Sequence, residues 1–246
     1  MGICLLAGCG RHKQATVTPP PPPPISQPAS GPPAAAPSTT GKPAPGAKSS
    51  GEEVETITLP PNARPIFTET GLASWYGAPY HNRAGSNGEV YNMNAMTAAH
   101  RTLPLGSIVR VTNLKSGHSA LVRITDRGPF IDGRIIDLSL AAAKKLEVWR
   151  AGIAEVKLEV METPAPLDTG GRWAVQIGSF EKQKEARDLA AHLERRYHTA
   201  KVLTFISPVG VWWVRVRVLD DDRKRAEEVA HDTSTQQGSV FLVRLD

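Results

Sequence analysis

The stretch from about residue 10 to residue 65 limits the fold more than any other feature of the chain. It holds the unbroken run Pro19–Pro24 and continues as ISQPASGPPAAAPSTTGKPAPGAKSSG. Bulky apolar side chains are almost absent, so burial cannot offset the entropy of ordering such a segment. Its polyproline part is expected to act as a semi-rigid spacer. Most of the 21 prolines lie before residue 66, so any core must be built from the residues beyond that point.

The first residues read MGICLLAGCGR. Leu6-Ala7-Gly8-Cys9 matches the site cut by bacterial lipoprotein signal peptidase, where the Cys thiol receives a diacylglycerol. Only eight residues precede Cys9 and none is basic, which is short for a secretory signal. The expectation is a signal-peptide remnant over 1–8 and a lipidated Cys9 opening a linker over 9–65. By resemblance to the sorting of Gram-negative lipoproteins, Gly10 rather than Asp after Cys9 implies the outer membrane over inner-membrane retention. Cys4 and Cys9 are the two cysteines, so neither a disulfide nor a thiol nucleophile is expected in the folded part. No apolar run approaches the ~18 residues that a spanning helix needs. The net charge of +5 suits an anionic partner, but no basic run carries interleaved aromatics, so nucleic acid is not expected.

A first folded unit is expected over 70–163. SIVRVTN and SALVRITD alternate apolar and polar residues and are joined by Leu114–His118, with Gly117 as the turn residue. GRIIDLS is a short strand, and Ser139 caps the helix LAAAKKLE. In AGIAEVKLEVME, Ala154, Val156, Leu158 and Val160 share one face. Many short strands with one small helix indicate a closed barrel. After a linker over 164–170, residues 171–246 read strand, helix, strand, strand, helix, strand. That order is the split βαβ arrangement. The fold class is therefore mainly β followed by α+β.

The acids and histidines of the first unit are the chemical candidates. No G-x-S-x-G is present, so a serine hydrolase elbow is excluded. His81, His100 and His118 stand apart, so no metal site or cofactor is expected. What remains is carboxylate acid–base chemistry, which suits glycan cleavage. Strict alternation places Asp126 with Val122 and Ile124 on the apolar face of its strand, where burial would raise its pKa. The competing reading is a turn cap or a pair with Arg127. Glu89 sits in the turn signal Asn87-Gly88-Glu89, with a solvated turn acid as the competing reading. His100 competes with a structural histidine, and Asp137 reads as a tie between a loop and the barrel.

GLASWYG, NGEVYNMNAMTAAHRTLPLGS and VRITDRGPF…GRIIDLSLAAAKKL resemble the double-psi β-barrel domain of the rare lipoprotein A family. The tail resembles the sporulation-related repeat (SPOR) domain. The resemblance implies a six-stranded barrel with two crossing loops. It also implies lytic transglycosylation of peptidoglycan, cutting between N-acetylmuramic acid and N-acetylglucosamine and leaving a 1,6-anhydro end. Glu89, His100 and Asp126 match the family's site residues, and the acid stays open between Asp126 and Glu89. Trp75 and Tyr76 would stack on sugar, with core packing as the alternative. For the SPOR-like unit the resemblance implies binding of glycan strands stripped of stem peptides at the division septum. Gln176, Trp213 and Arg215 are expected to face outward on the open side of its sheet. Implied partners are denuded glycan strands, the membrane through the lipid, and division-site proteins, with a monomeric chain. The alternative is a binding or tethering lipoprotein that holds glycan without cutting it. Hydrolysis, with Glu89 holding a water, is a further possibility.

Overall fold

The computed structural model describes residues 57–233 and 239–246. These lie within the compact unit spanning Ser49–Asp246. The expectations for Cys9, for residues 1–8 and for nearly all of the linker fall outside the described residues. Among the described residues, no helix is long and apolar enough to cross a membrane.

The barrel consists of β1 (Phe67–Trp75), β2 (Thr97–His100), β3 (Ile108–Asn113), β4 (Ser119–Asp126), β5 (Arg134–Leu138) and β6 (Ala154–Glu162). A short helix, α1 (Leu140–Lys145), lies between the last two strands. The strands close in the order β1-β5-β2-β4-β3-β6. β1 with β5 and β2 with β4 run parallel, which forces the chain to cross over twice. Closure leaves no free edge to pair with another chain. The period-two pattern drives the packing. Val109, Val111, Val122, Ile124, Val156, Leu158 and Val160 fill the interior, each at most 1% exposed. Ser139 caps α1 by accepting from the Ala142 amide at 3.1 Å. Its hydroxyl also donates to the Ala95 carbonyl at 2.7 Å, tying the long β1–β2 connection to the helix.

Two strands were not legible in the periodicity. β1 reads FTETGLASW, and its first half carries polar or exposed residues. β2 has four residues, too few for a pattern, and owes its extended form to neighbours on both sides, β4 and β5.

The second domain holds β7 (Trp173–Phe180), α2 (Gln183–Arg196), β8 (Lys201–Ile206), β9 (Trp212–Arg217), α3 (Arg223–Asp232) and β10 (Ser239–Arg244). Its sheet is antiparallel in the order β10-β7-β9-β8. Both helices cover one face, where Val175, Ile177, Val214 and Val216 meet Ala186, Leu193, Ala226 and Val229. The split βαβ order expected from the sequence is therefore present.

Candidate active site and sheet face

The β1–β2 connection folds back on itself into a small hairpin. Tyr91 donates its amide to the Arg83 carbonyl at 2.8 Å, and Gly85 donates to the Glu89 carbonyl at 2.8 Å. The hairpin docks on the end of β4. The Asn87 amide donates to the Thr125 carbonyl at 3.2 Å. Ser86 donates to Asp126 Oδ1 twice, from its amide at 3.0 Å and from its hydroxyl at 2.5 Å. The Arg127 amide adds a third hydrogen bond at 2.8 Å. All three fall on Oδ1, so among the described residues Oδ2 is the oxygen left to meet a ligand.

Between hairpin and strand lies a groove of about 190 Å³. Glu89, Tyr91, Thr97, Arg123, Thr125 and Asp126 are among its lining residues. The structure therefore brings Glu89 and Asp126 to one groove. Glu89 is oriented locally, because Oε2 accepts from Asn87 Nδ2 at 2.7 Å. The aspect of Asp126 differs from strict alternation. The β2–β4 register shifts between Ala98 and Ala99, so Ala98 faces Ile124 and Ala99 faces Asp126. This irregularity turns Asp126 away from the face of Val122 and Ile124. It joins Arg123 and Thr125 at the groove instead. Bulges commonly re-aim side chains beside functional sites in this way. The expected pairing partner, Arg127, sends its guanidinium elsewhere, to the carbonyls of His100, Leu103 and Asp246.

His100 is not among the groove's lining residues. Its ring is buried, and Nδ1 accepts from the amides of Thr102 at 3.2 Å and Leu103 at 3.1 Å. The proton therefore sits on Nε2, which faces Glu69 Oε2 at 3.4 Å. Burial pushes the His100 pKa down, against the hydrogen bond and charge of Glu69 that push it up. The hydrogen bond from His100 in turn holds the Glu69 carboxyl below its ordinary value.

Tyr76 stacks on Tyr91 with ring centroids 4.4 Å apart, and Tyr91 donates its hydroxyl to the Tyr76 carbonyl at 2.8 Å. Burial, then the charge of Asp126, raises the pKa of both phenols. Trp75 packs partly buried against the barrel core. Gly77 allows this, since a Cβ there would lie 2.9 Å from the indole ring.

Periodicity undervalued Asp137. Its carboxyl accepts from Ser74 Oγ at 2.7 Å and from Arg134 at 2.9 Å, and burial raises its pKa. Its charge reaches both Tyr76 and Tyr80. The sequence signal was a lone acid inside the apolar strand RIIDL. Only the parallel pairing that sets Ser74 beside Asp137 shows what it meets.

In the second domain, Gln176, Trp213 and Arg215 do converge on the sheet face opposite the helices. Arg215 Nε donates to Gln176 Oε1 at 2.8 Å and stacks over Phe205 at 5.2 Å. Trp213 lies over Gly178, where a Cβ would come within 2.6 Å of its ring. The expectation of an open face needs correction. Gln176 is 1% exposed and Trp213 is 9% exposed. The barrel covers them. Phe130 sits 5.4 Å from the Trp213 ring and 5.9 Å from the Phe241 ring. Arg101 lies over Phe241 at 5.4 Å. Burial lowers the Arg215 pKa, the positive charge of Arg217 adds to that, and the charge of Asp126 opposes it.

Comparison with known proteins agrees with this architecture. The family described as "Lytic transglycolase" matches residues 68–158, and the SPOR domain family matches residues 169–244. Three proteins named endolytic peptidoglycan transglycosylase RlpA are similar to the chain. That of Vibrio cholerae is 48% identical over 134 residues, covering 52% of this chain and 51% of the relative. That of Neisseria meningitidis serogroup A is 50% identical over 130 residues, covering 52% and 54%. That of Pseudomonas aeruginosa PA14 is 48% identical over 183 residues, covering 74% and 54%. The chain thus spans about half the length of the curated relatives it matches. It joins a domain of the lytic transglycolase family to a SPOR domain, and it is similar to the RlpA proteins over both.

Proposed function

We propose that the barrel is an endolytic transglycosylase acting on peptidoglycan glycan strands that lack stem peptides, and that the SPOR domain holds such strands at the division septum. The observation that carries this reading is the meeting of Glu89 and Asp126 at one groove. The names of the relatives support it.

Asp126, protonated on Oδ2, gives its proton to the oxygen bridging N-acetylmuramic acid and N-acetylglucosamine as the C1–O bond breaks. Positive charge develops at C1 and the ring oxygen, as in other glycoside cleavages. The carboxylate then takes the proton of the same sugar's 6-hydroxyl, whose oxygen bonds to C1. The 1,6-anhydro end forms, no water is consumed, and Asp126 is protonated again. Glu89 orients the sugar from the opposite wall. His100, clamped by two amides and Glu69, acts at a distance by holding the β2 end against which Arg127 is tied. Cys9 carries the lipid that places the protein on the periplasmic face of the outer membrane.

The test is incubation of the full chain with glycan strands freed of stem peptides, with products read by mass spectrometry beside Asp126→Asn. Anhydro-ended fragments that disappear in the variant support the reading. Reducing ends would indicate hydrolysis, and intact but bound strands would indicate a glycan-binding protein that does not cut.

A further inference from the structure

The outer face of the SPOR sheet is built like a recognition surface and yet is closed. It presents Trp213 and Phe205 as flat rings, with Gln176 and Arg215 as polar groups between them. Aromatic planes with a few fixed polar groups suit a sugar chain. The barrel is seated on that face. Phe130 wedges between Trp213 and Phe241, and Asp132 accepts a hydrogen bond from Ser239. Along the β10 side, the Arg244 amide donates to the Arg101 carbonyl at 3.0 Å. The Asp246 carbonyl accepts from the Leu105 amide at 3.2 Å and from Arg127 at 2.6 Å. Ala174, Gln176 and Val243, all on this face, are 0–1% exposed.

We propose that this sheet face is shared, taken either by the barrel or by a glycan strand, so that docking holds the enzyme closed and capture of a strand opens it. The inference rests on the reading of the SPOR domain as a glycan binder. Its physical basis is exclusion, because a ring stacked on Trp213 and the Phe130 side chain would claim the same space. The latch also reaches the candidate groove. Phe130 lies four residues beyond Asp126, and Arg215 is close enough for the two charges to interact. A strand that displaces the barrel therefore releases the segment that carries Asp126. A ligand opens a two-state element by its difference in affinity for the two states, and here the closed state offers it no site.

The experiment uses the full chain with Cys4 and Cys9 replaced by Ser and a cysteine pair introduced as Asp132→Cys with Ser239→Cys. Binding of amidase-stripped glycan strands is measured with the pair oxidised and after reduction. Phe130→Asp, in the otherwise native chain, is measured against wild type. The oxidised form is expected to bind at least about tenfold more weakly than the reduced form. Phe130→Asp is expected to bind about tenfold more tightly than wild type. Equal binding by oxidised and reduced protein, or unchanged affinity in Phe130→Asp, overturns the latch while glycan binding stands. No binding by the reduced protein and by Phe130→Asp removes the glycan-binding reading itself, and the latch with it.

Discussion

Ser86 holds Asp126 by two hydrogen bonds to a single carboxylate oxygen, across forty residues of sequence. The pair joins the hairpin wall of the groove to the end of β4, so the proposed proton donor and the loop carrying Glu89 are positioned by the same contact. Such fixed donors set the direction of the free oxygen, and a displacement near 1 Å can cost about a hundredfold in rate.

Ser86→Ala keeps the amide donor and removes the hydroxyl. The turnover rate on stripped glycan strands is expected to fall by up to about tenfold, in proportion to a hydrogen bond of about 0.5–1.5 kcal/mol. Ser86 is exposed, so the melting temperature should hardly move. Steady-state kinetics beside a thermal melt separates positioning from folding. An unchanged rate would remove Ser86 from the site.

Asp126→Asn and Glu89→Gln should not behave alike. The first removes the proton donor and should lower turnover by about 10²–10⁴-fold. The second keeps the groove's shape and hydrogen-bonding capacity, and should act more on KM than on turnover. Equal losses in turnover would mean that Glu89 shares the proton transfer.

The pH dependence of stability should carry the mark of His100. Its pKa is lowered in the folded state from an ordinary value of 6.5, so the unfolded chain binds the proton more readily. Stability from this group is full above pH 6.5 and is lost as pH falls toward the folded value. Glu69, also lowered from its ordinary 4.5, adds a second loss below that pH. Asp137 has the opposite sign, since its raised pKa makes the folded state gain as pH falls toward 3.8. The melting temperature should therefore drop between pH 7 and pH 5.5, and His100→Gln should flatten that slope. His100→Gln should also cost about 2–3 kcal/mol at pH 7.5, because two buried amides lose their acceptor. A slope identical in wild type and variant would place the titration elsewhere.

Gly178→Ala should unsettle the second domain. The new Cβ would meet the Trp213 ring at 2.6 Å, and that ring also packs against Phe130, with centroids 5.4 Å apart. Overpacking of this kind costs about 1–3 kcal/mol. Urea unfolding followed by tryptophan fluorescence is the measurement, and a midpoint unchanged from wild type would show that Trp213 is free to move.

The amino-acid sequence determined the strands and helices whose residues alternate or repeat locally. It marked every strand from β3 to β10 and the faces of β6 and β7 that enter a core, because a period of two or 3.6 is set by neighbours along the chain. It also named Glu89 and Asp126, through motif resemblance rather than periodicity. Tertiary structure alone decided where those side chains point. A register shift against β2 turns Asp126 into the groove, and such a shift depends on a partner strand more than twenty residues away in sequence. The clamp on His100 needs Glu69 from another strand, and Asp137 needs Ser74. Gln176 shows the limit most plainly. Alternation set its face correctly, away from the helices, but whether that face meets water or the barrel depends on how two separately patterned domains pack together, which no local pattern encodes.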